Sequence, residues 1–254
     1  MKNTTALPLV ALLAMAAAPS FAQTAATPEY TFTGNAGLFT DYRFRGISQT
    51  VKQPAFQGGF DFSHQSGFYL GNWNSNVDSG FYNGANLEMD FYGGFKGSFD
   101  AFTYDIGALY YYYPGSGIAG TNKIDNTELY VAGGWGPFSL KYSYAVSDFF
   151  GITDTKGAYY VDGTITYPLS KEIALIGHVG YQGGLKNGAR ITEFDGSVRT
   201  SITDWKFGAT YDLSGWILGA SYIDTDRSFS GGTGSLENKD IANGTVVLSV
   251  TKSF

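Results

Sequence analysis

Cysteine is missing from all 254 positions, which excludes a disulfide framework, a thiolate metal centre and a cysteine nucleophile. Histidine is nearly as scarce: His64 and His178 stand about 114 positions apart and show none of the local spacings of a zinc site. An outer-membrane lipase or protease would want a histidine near the outer rim. His64 falls beside a short turn and His178 in mid-strand, so the reading is not an enzyme, with no catalytic residue, metal or cofactor. Bases are outnumbered, with 16 Lys and Arg against 22 Asp and Glu, a net charge of -6, which argues against nucleic acid as a partner.

Long apolar runs are also wanting. One lies at the N-terminus, where Lys2, the apolar stretch 6–18 broken by Pro8, and Ser20-Phe21-Ala22 have the form of a cleavable secretory signal peptide over residues 1–22. The stretch is shorter than the ~20 residues with which a helix crosses hydrocarbon. Removing Lys2 with this segment takes the net charge to -7 and leaves one expected domain over residues 23–254.

What is abundant is glycine and aromatics: 35 Gly, 19 Tyr, 20 Phe and 4 Trp. The mean hydropathy is nevertheless only -0.10. A membrane barrel reconciles the two facts, because its strands hide apolar residues at every second position. The alternation is explicit. Phe138, Leu140, Tyr142, Tyr144 and Val146 interleave with Ser139, Lys141, Ser143 and Ala145, and Leu87, Met89, Phe91 and Phe95 with Glu88, Asp90, Tyr92 and Gly94. The same test predicts strands near 32–45, 55–64, 68–75, 86–96, 100–113, 126–135, 138–147, 158–167, 173–182, 203–212, 216–224 and 244–254.

Twelve strands are thus expected in an all-β, antiparallel, up-and-down transmembrane barrel. Its connections alternate between short periplasmic turns at 65–67, 97–99, 136–137, 168–172 and 213–215 and long extracellular loops, notably 114–125, 183–202 and 225–243. A further hairpin would arise if residues 190–198 formed a strand. A soluble sandwich would also alternate, but would not sort its connections by parity. Nor would it gather Trp73, Tyr112, Trp135, Tyr167, Trp205, Tyr211 and Trp216 at strand ends, where two membrane interfaces would lie. The last strand ends at Phe254, as does the signal that engages the outer-membrane barrel assembly machinery. Lys252 interrupts its apolar series and fits an interface, where its ammonium reaches headgroups.

Asp41-Tyr42-Arg43-Phe44-Arg45-Gly46-Ile47-Ser48-Gln49-Thr50, then 54–61, 67–77 and Glu88-Met89-Asp90-Phe91-Tyr92-Gly93-Gly94, resemble the opening blocks of the TorF-type porins of proteobacteria. The specific motifs lie in the first four strands. The resemblance implies a pore in the outer membrane of a Gram-negative bacterium and supplies no solute.

By parity the lumen-lining, solute-binding candidates are Asp41, Arg43, Arg45, Asp61, Glu88, Asp90, Asp105, Glu128, Lys141, Asp162, His178, Asp204 and Lys206. Twelve strands should leave a narrow lumen for small hydrophilic solutes or ions. The acidic excess predicts a mild cation preference, unless Arg43, Arg45, Asp61, Glu88 and Asp90 neutralise one another across neighbouring strands. Asp41, Arg43 and Arg45 are expected on one strand as a vertical ladder, its two guanidiniums forming a fork for an anion. A closed barrel acting through its outer loops in binding or adhesion is the alternative.

Overall fold

The computed structural model describes residues 28–117, 123–185, 191–192, 198–229 and 239–254. The expected signal peptide and parts of three long loops lie outside the described residues. Twelve antiparallel strands close into one barrel: β1 (Tyr30–Phe39), β2 (Ala55–His64), β3 (Phe68–Asn76), β4 (Leu87–Phe99), β5 (Phe102–Tyr112), β6 (Asn126–Trp135), β7 (Phe138–Ala145), β8 (Tyr159–Pro168), β9 (Ile173–Gly183), β10 (Ile202–Leu213), β11 (Trp216–Thr225) and β12 (Thr245–Ser253). Each strand pairs with its sequence neighbours. The first and last close the wall through five facing positions, from Asn35 opposite Ser253 to Phe39 opposite Ser249.

The expected count and parity both hold. Short connections at 65–67, 100–101, 136–137, 169–172 and 214–215 share one end, and the long loops share the other. One turn is displaced: β4 continues through Phe99, and the chain reverses at Asp100, with φ 53°, and Ala101 rather than at 97–99. Within the 190–198 segment, Ile191–Thr192 pairs with Val198–Arg199 as a two-residue ladder outside the barrel wall.

A larger departure is the first strand, expected to run through residue 45. It leaves the wall after Phe39, and residues 40–54 turn into the lumen. There Arg43–Phe44 and Ile47–Ser48 form a small hairpin of their own.

Outside, the wall is apolar. Leu38, Phe60, Ile106, Val131, Leu140, Phe207 and Leu248 all point away from the barrel and are exposed, a surface suited to hydrocarbon. Phe102, Trp135, Tyr167, Tyr211 and Trp216 ring the short-turn end, and Tyr110, Tyr144, Tyr181 and Tyr222 the loop end, so amphipathic rings mark both borders. Lys252 lies outward at the short-turn end with its Nζ 5.3 Å from the Trp216 ring centroid. Trp73 does not join the girdle. It faces inward and is buried, because Gly59 opposite it lets β2 and β3 close around its bulk.

On the inner face, tyrosines lie flat over glycines of the adjoining strand. A Cβ at Gly71 would collide with the Tyr92 ring, and one at Gly180 with the Tyr160 hydroxyl. The rings thus line the wall instead of filling the lumen.

Val131 sits near the middle of the outward face of β6. Val131→Arg is expected to cost about 2–4 kcal/mol of folding stability in vesicles, measured by urea unfolding, and the inward-facing Thr166→Arg less than about 1 kcal/mol. Equal costs would refute a lipid-facing wall.

Candidate functional site

The site is the hairpin inside the barrel. Its two-residue turn is Arg45-Gly46, with φ of 48° and 80°. Two consecutive left-handed residues make the tight mirror-image turn that suits a twisted ladder. Glycine is needed at the second position, since a Cβ on Gly46 would strike the Thr225 and Asp204 side chains of the wall. Arg45 adopts the conformation despite its side chain, and many contacts hold it there.

Those contacts reach one arc of the wall, from β6 to β9. Both oxygens of Glu128, on β6, accept from Arg45 Nη2, at 2.9 and 2.7 Å, and Arg45 Nη1 donates to Gln182 Oε1 on β9. The guanidinium carbon lies 4.4 Å from the Tyr160 ring centroid and 4.7 Å from that of Phe44. Glu128 also accepts from Tyr111 Oη and Asn126 Nδ2, both at 3.3 Å. Burial works against the charge on Arg45, and the Glu128 carboxylate paired with it offsets that cost. One side chain thus ties the inserted segment to two wall strands three places apart in the ring.

Asp41 and Arg43 serve the hairpin's base. Arg43 Nε donates to Asp41 Oδ2 at 2.6 Å. Its Nη1 donates to the carbonyls of Gly46, Ile241 and Asn243, and its Nη2 to Thr245 Oγ1. Ser48 Oγ donates to Asp41 Oδ1 at 2.5 Å. Around this knot Tyr42, Trp73, Val77, Tyr82, Ala85, Leu109, Tyr111 and Tyr113 form an aromatic core, with Tyr82 and Tyr113 stacked 4.7 Å apart. Apolar packing therefore occupies the loop half of the barrel interior, where water would otherwise sit.

Below the hairpin the lumen is polar and half-buried. Tyr92 Oη donates to Asp61 at 2.6 Å and Tyr69 Oη to Asp105 at 2.5 Å. Lys141 lies opposite Asp162 across the β7–β8 ladder, its Nζ 4.2 Å from the Tyr130 ring centroid. His178 contacts Thr164 Oγ1 through Nδ1 at 3.0 Å, and Asp204 Oδ1 and Tyr160 Oη through Nε2 at 3.1 Å each. Both imidazole nitrogens are engaged by fixed polar neighbours, as befits a structural histidine. His64 contacts Ser66 at the short-turn end.

A family model matches residues 22–254, described as a bacterial protein of unknown function (Gcw_chp). The chain belongs to the Gcw_chp family. Comparison with curated proteins gives no match. Among solved structures, the Gcw_chp barrel resembles a NanC porin at a TM-score of 0.56 and 14% identity, covering 88% of this chain and 99% of that one. A KdgM porin in complex with disordered oligogalacturonate gives 0.53 and 11%, with the same coverage. An outer membrane channel from Pseudomonas putida F1 gives 0.51 and 12%, covering 90% and 97%. At such identities the likeness establishes the shared architecture.

In this Gcw_chp chain the sequence-predicted residues fall into two groups. Asp41, Arg43, Arg45, Glu88, Asp90, Glu128 and Asp204 lie in or against the hairpin, whereas Asp61, Asp105, Lys141, Asp162, His178 and Lys206 line the lumen below it. The ladder of Asp41, Arg43 and Arg45 does not form. The strand ends six residues before Arg45, the hairpin reverses there, and the two guanidiniums find separate carboxylates, so they offer no fork. Of the charges expected to neutralise one another across neighbouring strands, Arg43 pairs instead with Asp41 inside the hairpin and Arg45 with Glu128 of the wall, and neither pairs with Glu88 or Asp90. Lys96 and Gln182 were missed, although the parity that places Glu88 and His178 inward places them inward too.

Arg45→Ala leaves Glu128 buried without a counter-charge, a loss of about 3–5 kcal/mol for such a pair. Adding Glu128→Gln is expected to restore part of it. The coupling in a double-mutant cycle should reach about 0.5–3 kcal/mol by urea unfolding in vesicles; strict additivity would mean that the two side chains act independently.

Proposed function

We propose that the chain is a passive channel of the Gram-negative outer membrane for small hydrophilic solutes or ions, delivered by a signal peptide cleaved after Ala22. The observation that carries this reading is a closed barrel, apolar outside, whose lumen below the hairpin is lined by polar and charged side chains, half-buried for the most part, with Lys141 buried. A lining of that kind suits a wet passage. The named neighbours are porins or channels, and the opening motifs resemble TorF-type porins. Lipid at the outer wall, and assembly machinery reading the strand that ends at Phe254, complete the expected partners.

The hairpin at residues 40–54 is the constriction. Its Arg45–Glu128 contact sets how much of the cross-section remains. Below it, Asp61, Asp105 and Asp162 stand against Lys96, Lys141 and Lys206, with Asp212 at the short-turn mouth, so the conducting half is close to balanced in charge and its ion preference weak. The acidic excess of the whole lumen belongs to the hairpin's surroundings. The packed aromatic core also favours a second reading, a closed barrel acting through its outer loops.

Single-channel recording of the folded barrel in a planar bilayer separates the two. The expected result is small discrete steps from the wild type, larger steps from Arg45→Ala with Glu128→Gln, and a reversal potential near zero in a potassium chloride gradient. Silence from both folded proteins would overturn the channel and leave the closed barrel.

A further inference from the structure

Two carboxylates beneath the hairpin have no counter-charge. Glu88 and Asp90 stand two positions apart on the inward face of β4, 1% and 4% exposed. Tyr42 Oη donates to Glu88 Oε1 at 2.8 Å. Glu88 Oε2 and Asp90 Oδ1, both buried, meet no hydrogen-bond partner. The guanidiniums near them are committed elsewhere, Arg43 to Asp41 and Arg45 to Glu128. The charges facing Asp90 are those of Glu88 and Glu128, both negative, and the remaining walls are Tyr42, Trp73, Tyr82 and Tyr113.

An ionised carboxylate withdrawn from water is strongly unfavourable unless something neutralises it. Here two are withdrawn together, each with a buried oxygen that meets no hydrogen-bond partner, inside a shell of phenols. We propose that Glu88 and Asp90 form a binding site for a divalent hard cation of the calcium class, with the Tyr42 phenol beside it. Two negative charges match one divalent ion, and ligands that are all oxygen select a hard cation over a soft one. Because Tyr42 belongs to the inserted segment and Glu88 to the wall, the bound ion would fasten one to the other. The site would then strengthen the same docking that Arg45 provides through Glu128, two strands along the wall.

Trp73 lies directly opposite Asp90 across the β3–β4 ladder, which supplies an optical probe. The folded barrel in detergent is titrated with terbium ion, exciting indole and reading terbium emission, and then with calcium chloride. Expected is one saturable signal that calcium displaces, that Glu88→Gln and Asp90→Asn each abolish, and that Asp224→Asn retains. Trp73→Phe should dim the emission yet keep a calcium-dependent rise in unfolding temperature. Circular dichroism establishes that each variant is folded. A signal that does not saturate, or that survives in both carboxylate variants, would overturn the proposal. So would an unfolding temperature that responds to acid through Glu88 and Asp90 but not to calcium, since the neutralising species would then be a proton. The measurement involves no current, so its failure leaves the channel reading untouched.

Discussion

A β-ladder in hydrocarbon has no water to satisfy its backbone groups, so the wall must close on itself, and nearly everything else in this molecule follows from that closure. Once β1 meets β12 over five positions, every residue of the wall is committed to lipid or lumen by parity alone. The same junction also releases the chain. Ladder pairing of the first strand ends at Phe39, Thr40 keeps its bonds to Leu248 of β12, and the backbone beyond Thr40 enters the interior.

The wall was legible because it repeats a two-residue period whose faces differ sharply, as in Phe138 to Ala145, and because turns and loops alternate in length. The hairpin was not, since it is also extended. Asp41, Arg43 and Arg45 alternate with Tyr42 and Phe44 just as they would in a wall strand, and period alone cannot tell a strand in the wall from one inside it. The available signal was local: Arg45-Gly46 between Phe44 and Ile47 has the form of a two-residue hairpin turn. Trp73 misled for a different reason. Tryptophan suits a membrane border, but a buried place beside Gly59 suits it as well, and only the register reveals the glycine.

Charge is distributed by depth. Near the loops, acids outnumber bases and each guanidinium is spent on one carboxylate, which leaves Glu88 and Asp90 to find another partner. Toward the short turns, four aspartates and three lysines share the lining, with tyrosine hydroxyls on Asp61 and Asp105 and tyrosine rings under Lys96 and Lys141. The first region is organised for docking and the second for contact with water. A count of lumen charges taken over the whole chain mixes the two.

The tyrosines laid over Gly71 and Gly180 bear on how the calibre of such a tube can vary without any change in strand number. A ring resting on a bare backbone takes up little radius, and a methyl group placed beneath it would lift it toward the axis. Aperture is therefore written in the smallest side chains of the wall rather than in the largest ones, and two relatives with identical linings could differ in bore through their glycines alone.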